Sequence, residues 1–132
     1  EIGARGGGAF VSSEIVPLMS GVDHYEYIIN ASLGIPNKNI VIDKSIKHRC
    51  AALYFFNTPG DGGFVKEVKG LKYMEDSKNV NMFSLNFKIG DKIEKPNSDA
   101  ARVGFYIAHA DTRKELIEIM EQVNICFKIL YK

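Results

Sequence analysis

The chain has 132 residues, enough for a single domain or one part of a larger protein, and its 45% hydrophobic and 25% charged content is that of an ordinary soluble globular chain. A net charge of +1 gives no electrostatic basis for binding nucleic acid or an anionic membrane surface. No apolar run approaches the ~18 residues of a transmembrane helix, and the N-terminus lacks the basic region and apolar stretch of a signal peptide.

The sequence begins with Glu1 rather than methionine, so further sequence upstream is expected. Residues 1–10 read as a glycine-rich loop. Residues 12–20, "SSEIVPLMS", predict a short helix with Ile15, Leu18 and Met19 on one side. Pro17 confines it to a turn or two, or sits in its first turn, and Gly21 stops it. Asp23 and Glu26 have the spacing of a capping box, with aspartate in place of the usual hydroxyl residue. The helix they open carries an apolar stripe of Tyr25, Ile28, Ile29 and Leu33. Gly34 and then Pro36 are its stop signals. The triplet Asn30-Ala31-Ser32 matches a glycosylation sequon but falls inside this helix, and we read it as chance.

Residues 35–48 form a polar connector, after which the character of the chain changes. "CAALYFF" (50–56) is a nearly continuous apolar run, the pattern of a strand buried on both faces. "TPGDGG" (58–63) is a turn, and "FVKEVKGL" (64–71) a second strand. "VNMFSLNF" (80–87) alternates, with Phe83, Leu85 and Phe87 on one face. Residues 88–100 are a turn-rich excursion. "RVGFYIAHA" (102–110) alternates again, with Val103, Phe105 and Ile107 together. Thr112 and Glu115 then make a capping box. Leu116, Met120, Val123, Phe127 and Leu130 mark one face of a final helix.

This order predicts an α+β fold: two helices, then a mostly antiparallel sheet of three or four strands covered on one face by a long C-terminal helix. The boundary is expected near residues 35–48, giving segments 1–48 and 49–132. The two cysteines, Cys50 and Cys126, lie in apolar runs far apart and read as buried thiols of a reduced, cytoplasmic protein.

Few residues have the spacing of a chemical site. His24, His48 and His109 are mutually distant, no cysteine pair supports zinc, and neither a nucleophile elbow nor a Walker loop is present. Asp91, Glu94, Asp99 and Asp111 are scattered among turns. The opening "EIGARGGG" differs. If its first residues end a strand, Glu1, Gly3 and Arg5 share a face. A carboxylate is a hard oxygen ligand suited to magnesium, and a guanidinium forks around a phosphate or carboxylate. The glycines that follow allow backbone N–H groups to approach an anion. By residue type alone the stretch fits still better a glycine-rich turn carrying a surface ion pair.

The order of these features resembles the last part of the ATP-grasp catalytic domain, as shared by biotin carboxylases, carbamoyl-phosphate synthases and L-amino-acid ligases. There a strand carries "E-x-N-x-R", often followed by a glycine pair, a helix, "GVD" and another helix ending in glycine. "EIGARGGG" followed by "SSEIVPLMSGVDHYEYIINASLG" has this layout. The remainder resembles the small C-terminal domain of the L-amino-acid ligase-like branch, with its "K-x-G-D-x-I" turn (KIGDKI) and a "G-[YF]-x-I-A…D-T-x-x-E" junction (GFYIAHADTRKE).

The resemblance implies roles residue by residue. Glu1 matches the magnesium-binding glutamate, and Arg5 the arginine that contacts the transferred phosphate or the acyl-phosphate intermediate. Gly7 and Gly8 match glycines lining the substrate side. Gly3 stands where many members have asparagine as a second metal ligand, a departure that leaves that ligand missing or replaced by water. The activity implied is that of a carboxylate–amine (or carboxylate–thiol) ligase using ATP and Mg2+, with an acyl phosphate as intermediate. The lid, the lysines and the adenine-binding hinge of such an enzyme precede Glu1, so the partner expected is a missing upstream ATP-grasp lobe. The chain alone is then expected to be inactive, and to self-associate, as a homodimer for instance, through the apolar side of the second helix (23–33) and one sheet edge. A non-catalytic packing or oligomerisation domain with a flexible leader is the alternative, and a small-molecule-binding regulatory module a third reading.

Overall fold

The computed structural model describes residues 7–37, 49–58, 61–95 and 102–132. A π-helical turn, Val11–Ile15, runs directly into α1 (Val16–Ser20). Pro17 occupies the first turn of α1, where its missing N–H costs nothing. The helix ends where Gly21 N–H donates to the Pro17 carbonyl (2.8 Å). The second helix, α2 (His24–Ser32), is capped by Asp23, whose carboxylate accepts from the N–H groups of Tyr25 and Glu26. Its other end closes as a Schellman motif: Ile35 N–H donates to Asn30 O, and Gly34 N–H to Ala31 O. Gly34 adopts the left-handed φ of 69° that this motif requires.

Among the described residues six strands follow, in two three-stranded sheets, every pairing there antiparallel. The first sheet has the order β1 (Cys50–Phe55), β5 (Gly104–Ala110), β3 (Val80–Leu85). The central strand β5 is buried along almost all its length. On one face Tyr106, Ala108 and Ala110 meet Leu116 and Val123 of α4 (Arg113–Cys126), together with Phe56, Met74 and Phe127. The opposite face, with Phe105 and Ile107, lies towards the N-terminal segment, whose π-turn and α1 pack over β1. The apolar run 50–56 thus has elements on both sides, as its composition suggests. Its strand residues are nevertheless only half-buried, because β1 is an edge of the sheet.

The second sheet has the order β4 (Lys92–Ile93), β2 (Gly63–Lys69), β6 (Lys128–Tyr131). The "KIGDKI" segment forms its turn: the Asp91 carboxylate accepts from Lys88 N–H at 2.7 Å, and Asp91 O accepts from Val65 N–H. A short helix, α3 (Leu71–Asp76), joins the two sheets and buries Met74.

Three sequence expectations need correction. The stripe from Leu116 to Leu130 predicts one helix, but α4 stops at Cys126 and Phe127 turns extended (φ −91°, ψ 126°). Residues 128–131 pair with β2 instead, Leu130 beside Glu67 and Tyr131 beside Val65. The helical spacing of Phe127 and Leu130 is fortuitous, and sheet pairing overrides it. Among the described residues there are six strands, where three or four were expected, and α3 was not expected. At the start of α4, Thr112 and Glu115 form the full reciprocal capping box (3.0 and 3.2 Å). Among the described residues no helix is long and apolar enough to cross a membrane. Cys50 and Cys126 are half-buried thiols rather than a disulfide.

Candidate functional site

Of the residues that the resemblance assigns to chemistry, Glu1 and Arg5 lie outside the described residues. Gly7 and Gly8 are described, and both are exposed. At Gly7 a Cβ would come within 3.2 Å of the Val11 side chain, so a bare backbone lets the loop lie down on the π-turn. At Gly8 a Cβ would meet nothing within 4 Å. Packing within the chain therefore does not demand glycine at position 8, and its backbone stays open to whatever approaches from outside.

The loop reverses sharply after these glycines. Gly8 O accepts from Val11 N–H at 3.1 Å. Ala9 and Phe10 then adopt left-handed φ values of 51° and 63° in succession. For residues with a Cβ this costs roughly 1–2 kcal/mol each, so something must hold the conformation. Phe10 O accepts from both Glu14 and Ile15 N–H groups, which makes the turn π-helical. The Phe10 ring stacks on Phe105 with centroids 4.7 Å apart. Phe105 meets Phe55 edge-on at 6.3 Å, and the Arg102 guanidinium lies 3.6 Å above the Phe55 ring. Asn81 Nδ2 of β3 donates to Glu14 Oε2 at 3.0 Å, a second tie between the turn and the sheet.

Together Phe10, Phe55, Met82, Arg102 and Phe105 border a depression of about 450 Å³ directly beyond the glycine loop. Sequence reasoning took Phe55 and Phe105 as core and did not single out Phe10 or Arg102. The available signal was cross-strand: Phe55 and Phe105 are register partners, and aromatic pairs at such positions stabilise a sheet.

Among the described residues no group of three His, Cys, Asp or Glu side chains could hold a metal ion; His48 and Asp99 lie outside them. The ring of His24 stacks on Tyr25, and His109 is part of β5.

The fold matches two solved ligase structures. The L-amino acid ligase from Bacillus licheniformis superposes over the whole chain with a TM-score of 0.77 at 20% identity, and the matched region is 32% of that protein. Phosphoribosylglycinamide synthetase from Anaerococcus prevotii superposes over 95% of the chain with a TM-score of 0.71 at 14% identity, and the match is 31% of its length. The chain thus has the fold of the C-terminal region of ATP-grasp ligases, and spans about a third of the length of these proteins. The sequence model of the L-amino acid ligase C-terminal domain 2 family matches residues 55–129, and the chain belongs to that family. No curated protein sequence matches it.

Proposed function

We propose that this chain is the C-terminal part of an ATP-dependent ligase that joins a carboxylate to an amine, or to a thiol, through an acyl phosphate. The observation that carries the reading is the family match over residues 55–129, joined to a glycine loop that the Phe10–Phe105 stack fixes against the same domain. Residues 1–48 would complete the catalytic domain, and residues 49–132 form the small C-terminal domain.

In this reading Arg5 contacts the phosphoryl group being transferred and stabilises charge as it develops on the acyl phosphate. Glu1 would hold Mg2+, which supplies charge neutralisation to the ATP phosphates when bound. Gly7 and Gly8 offer backbone to the substrate, consistent with the exposure of both and the open space at Gly8. The protein's task in such chemistry is chiefly positioning and charge stabilisation. A loop anchored by an aromatic stack and two backbone bonds to Phe10 suits that task. The upstream lobe of the ligase would supply the ATP pocket, and the 132-residue chain alone would not turn over.

The test is phosphate release in the longer protein that carries this chain, assayed with ATP, Mg2+ and panels of carboxylates and amines. Arg5→Ala should lower kcat/KM by about 10²–10³-fold, as loss of one charge-stabilising contact does. Unchanged turnover would place Arg5 outside the reaction. Micromolar binding of Mg-ATP by the 132-residue chain would contradict an ATP pocket formed mainly upstream.

A further inference from the structure

Among the described residues a single polar side chain belongs to the buried set: Ser12, which is 4% exposed. It stands on the π-turn directly after the glycine loop. Burying a hydroxyl is costly unless a hydrogen bond replaces the lost water. Even the serines of the exposed helices find one: Ser20 Oγ donates to Val16 O at 2.7 Å and Ser32 Oγ to Ile28 O at 2.8 Å, each four residues back. Ser12 does not. The carbonyl four residues before it, Gly8 O, is engaged by Val11 N–H at 3.1 Å. Ser12 does not cap the turn either, and its Oγ has no partner among the described residues.

The oxygen is nevertheless open on one side. The Tyr106 and Tyr131 hydroxyls are unpartnered and sealed within the fold. The Ser12 oxygen is unpartnered and not sealed, so the little surface that Ser12 keeps includes it. Its neighbour on the loop side is Gly7, itself exposed. A Cβ at Gly7 would stand 3.4 Å from Ser12 Oγ and cover it; glycine leaves the hydroxyl bare. The surroundings are those of a donor site. The N–H groups of Ser12 and Ser13 have no acceptor among the described residues. The nearest carboxylate along the chain, Glu14, is turned to the sheet, where it accepts from Asn81 Nδ2 at 3.0 Å. A hydroxyl beside free N–H groups favours an acceptor atom that carries negative charge.

We infer that Ser12 is a further substrate-contacting residue of the proposed ligase, its hydroxyl donating to an anionic oxygen of a substrate laid over Gly7. The inference rests on the ligase reading and adds to it a side chain that the glycines themselves cannot supply. It also accounts for the burial. A hydroxyl packed on every side but one keeps its direction, so little rotamer freedom is lost when the substrate binds. Two oxygens of the proposed reaction have this chemistry, that of the acid's carboxylate and that of the phosphoryl group, and kinetics separate them.

The experiment is steady-state kinetics of the longer protein that carries this chain, parent against Ser12→Ala, with ATP, acid and amine each varied in turn. Loss of a hydrogen bond to a charged oxygen should lower kcat/KM roughly 10–100-fold. The thermal midpoint should not fall, because nothing among the described residues bonds the hydroxyl. A higher KM for the acid alone assigns the contact to its carboxylate. A higher KM for ATP, or a lower kcat with every KM unchanged, assigns it to the phosphoryl group. Activity within about twofold of the parent, an effect confined to the KM for the amine, or a loss of activity matched by a lower thermal midpoint would each overturn the inference and leave the ligase reading standing. A parent protein that releases no phosphate with any acid and amine would refute the ligase reading, and this contact with it.

Discussion

Phe10 is the residue on which the candidate site's geometry depends most. It is 40% exposed, so roughly three-fifths of the ring is covered, which corresponds to about 1–2 kcal/mol of burial for a phenylalanine. The stack on Phe105 at 4.7 Å adds roughly 0.5–1.5 kcal/mol. Phe10→Ala should therefore remove about 2 kcal/mol of anchoring while keeping the left-handed strain at residues 9 and 10, because alanine also carries a Cβ. The loss is local, since Phe10 lies outside the buried core. It should register as faster hydrogen exchange at Val11, Glu14 and Ile15, whose N–H groups bond to Gly8 O and Phe10 O. A change of 2 kcal/mol in local opening corresponds to about 30-fold faster exchange. Exchange within twofold of the parent chain would mean that the stack does not hold the loop.

Three further outcomes follow from particular contacts. Gly70→Ala should destabilise the chain by more than ~2 kcal/mol in urea unfolding, because Gly70 has φ 75° and an added Cβ would collide with the Cys126 carbonyl; a midpoint shift under 0.5 kcal/mol would refute this close approach. Burial, with neighbouring Tyr54 adding to it, pushes the Tyr106 hydroxyl far above the ordinary tyrosine range. The native state thus favours the protonated form, so stability is full below the unfolded pKa of about 10 and falls as pH rises above it. The hydroxyl also has no hydrogen-bond partner among the described residues, so Tyr106→Phe should stabilise by about 1 kcal/mol at pH 7 and flatten the alkaline loss, leaving the same-signed contribution of half-buried Tyr131. Finally, Ile28, Ile29 and Leu33 present 50%, 56% and 68% of their surface on α2; the 132-residue chain should self-associate through them in sedimentation, and Ile29→Lys with Leu33→Lys should raise the dissociation constant at least about tenfold. A strict monomer at high concentration would refute that surface's role.

Much of the fold was legible because its signals are local. The Asp23 cap, the Gly34 stop and the Thr112–Glu115 box each appear where residue type and spacing place them. The alternation in 80–87 and 102–110 likewise gives β3 and β5. The missed strands share one cause. β6 exists only because β2 lies beside it, and Phe127 with Leu130 extends the α4 stripe by coincidence of spacing. The two-residue β4 depends on Gly63 and Phe64 in the same way. A partner strand distant in sequence leaves no trace in a local pattern.

The candidate site shows the same division at closer range. By residue type alone "EIGARGGG" fits best a glycine-rich turn, its phosphate-side reading comes from the resemblance, and nothing in it says what holds Gly7 and Gly8, its two described residues. The holding residues are spread through the chain: Phe10 at the turn, Phe55 on β1, Arg102 and Phe105 at the start of β5, and Asn81 on β3 gripping Glu14. Only the antiparallel register that sets Phe55 against Phe105 brings the aromatic members together. Two consecutive left-handed residues would be unstable as an isolated peptide. They persist here because the π-turn carbonyl bonds and the ring stack act on the same residue, Phe10. The C-terminal domain therefore does more than fill space beside the loop. Through Phe105 it sets the conformation of the segment on which Gly7 and Gly8 are presented. For that reason a change in β5, remote in sequence from the glycines, is expected to reach the candidate site through Phe10.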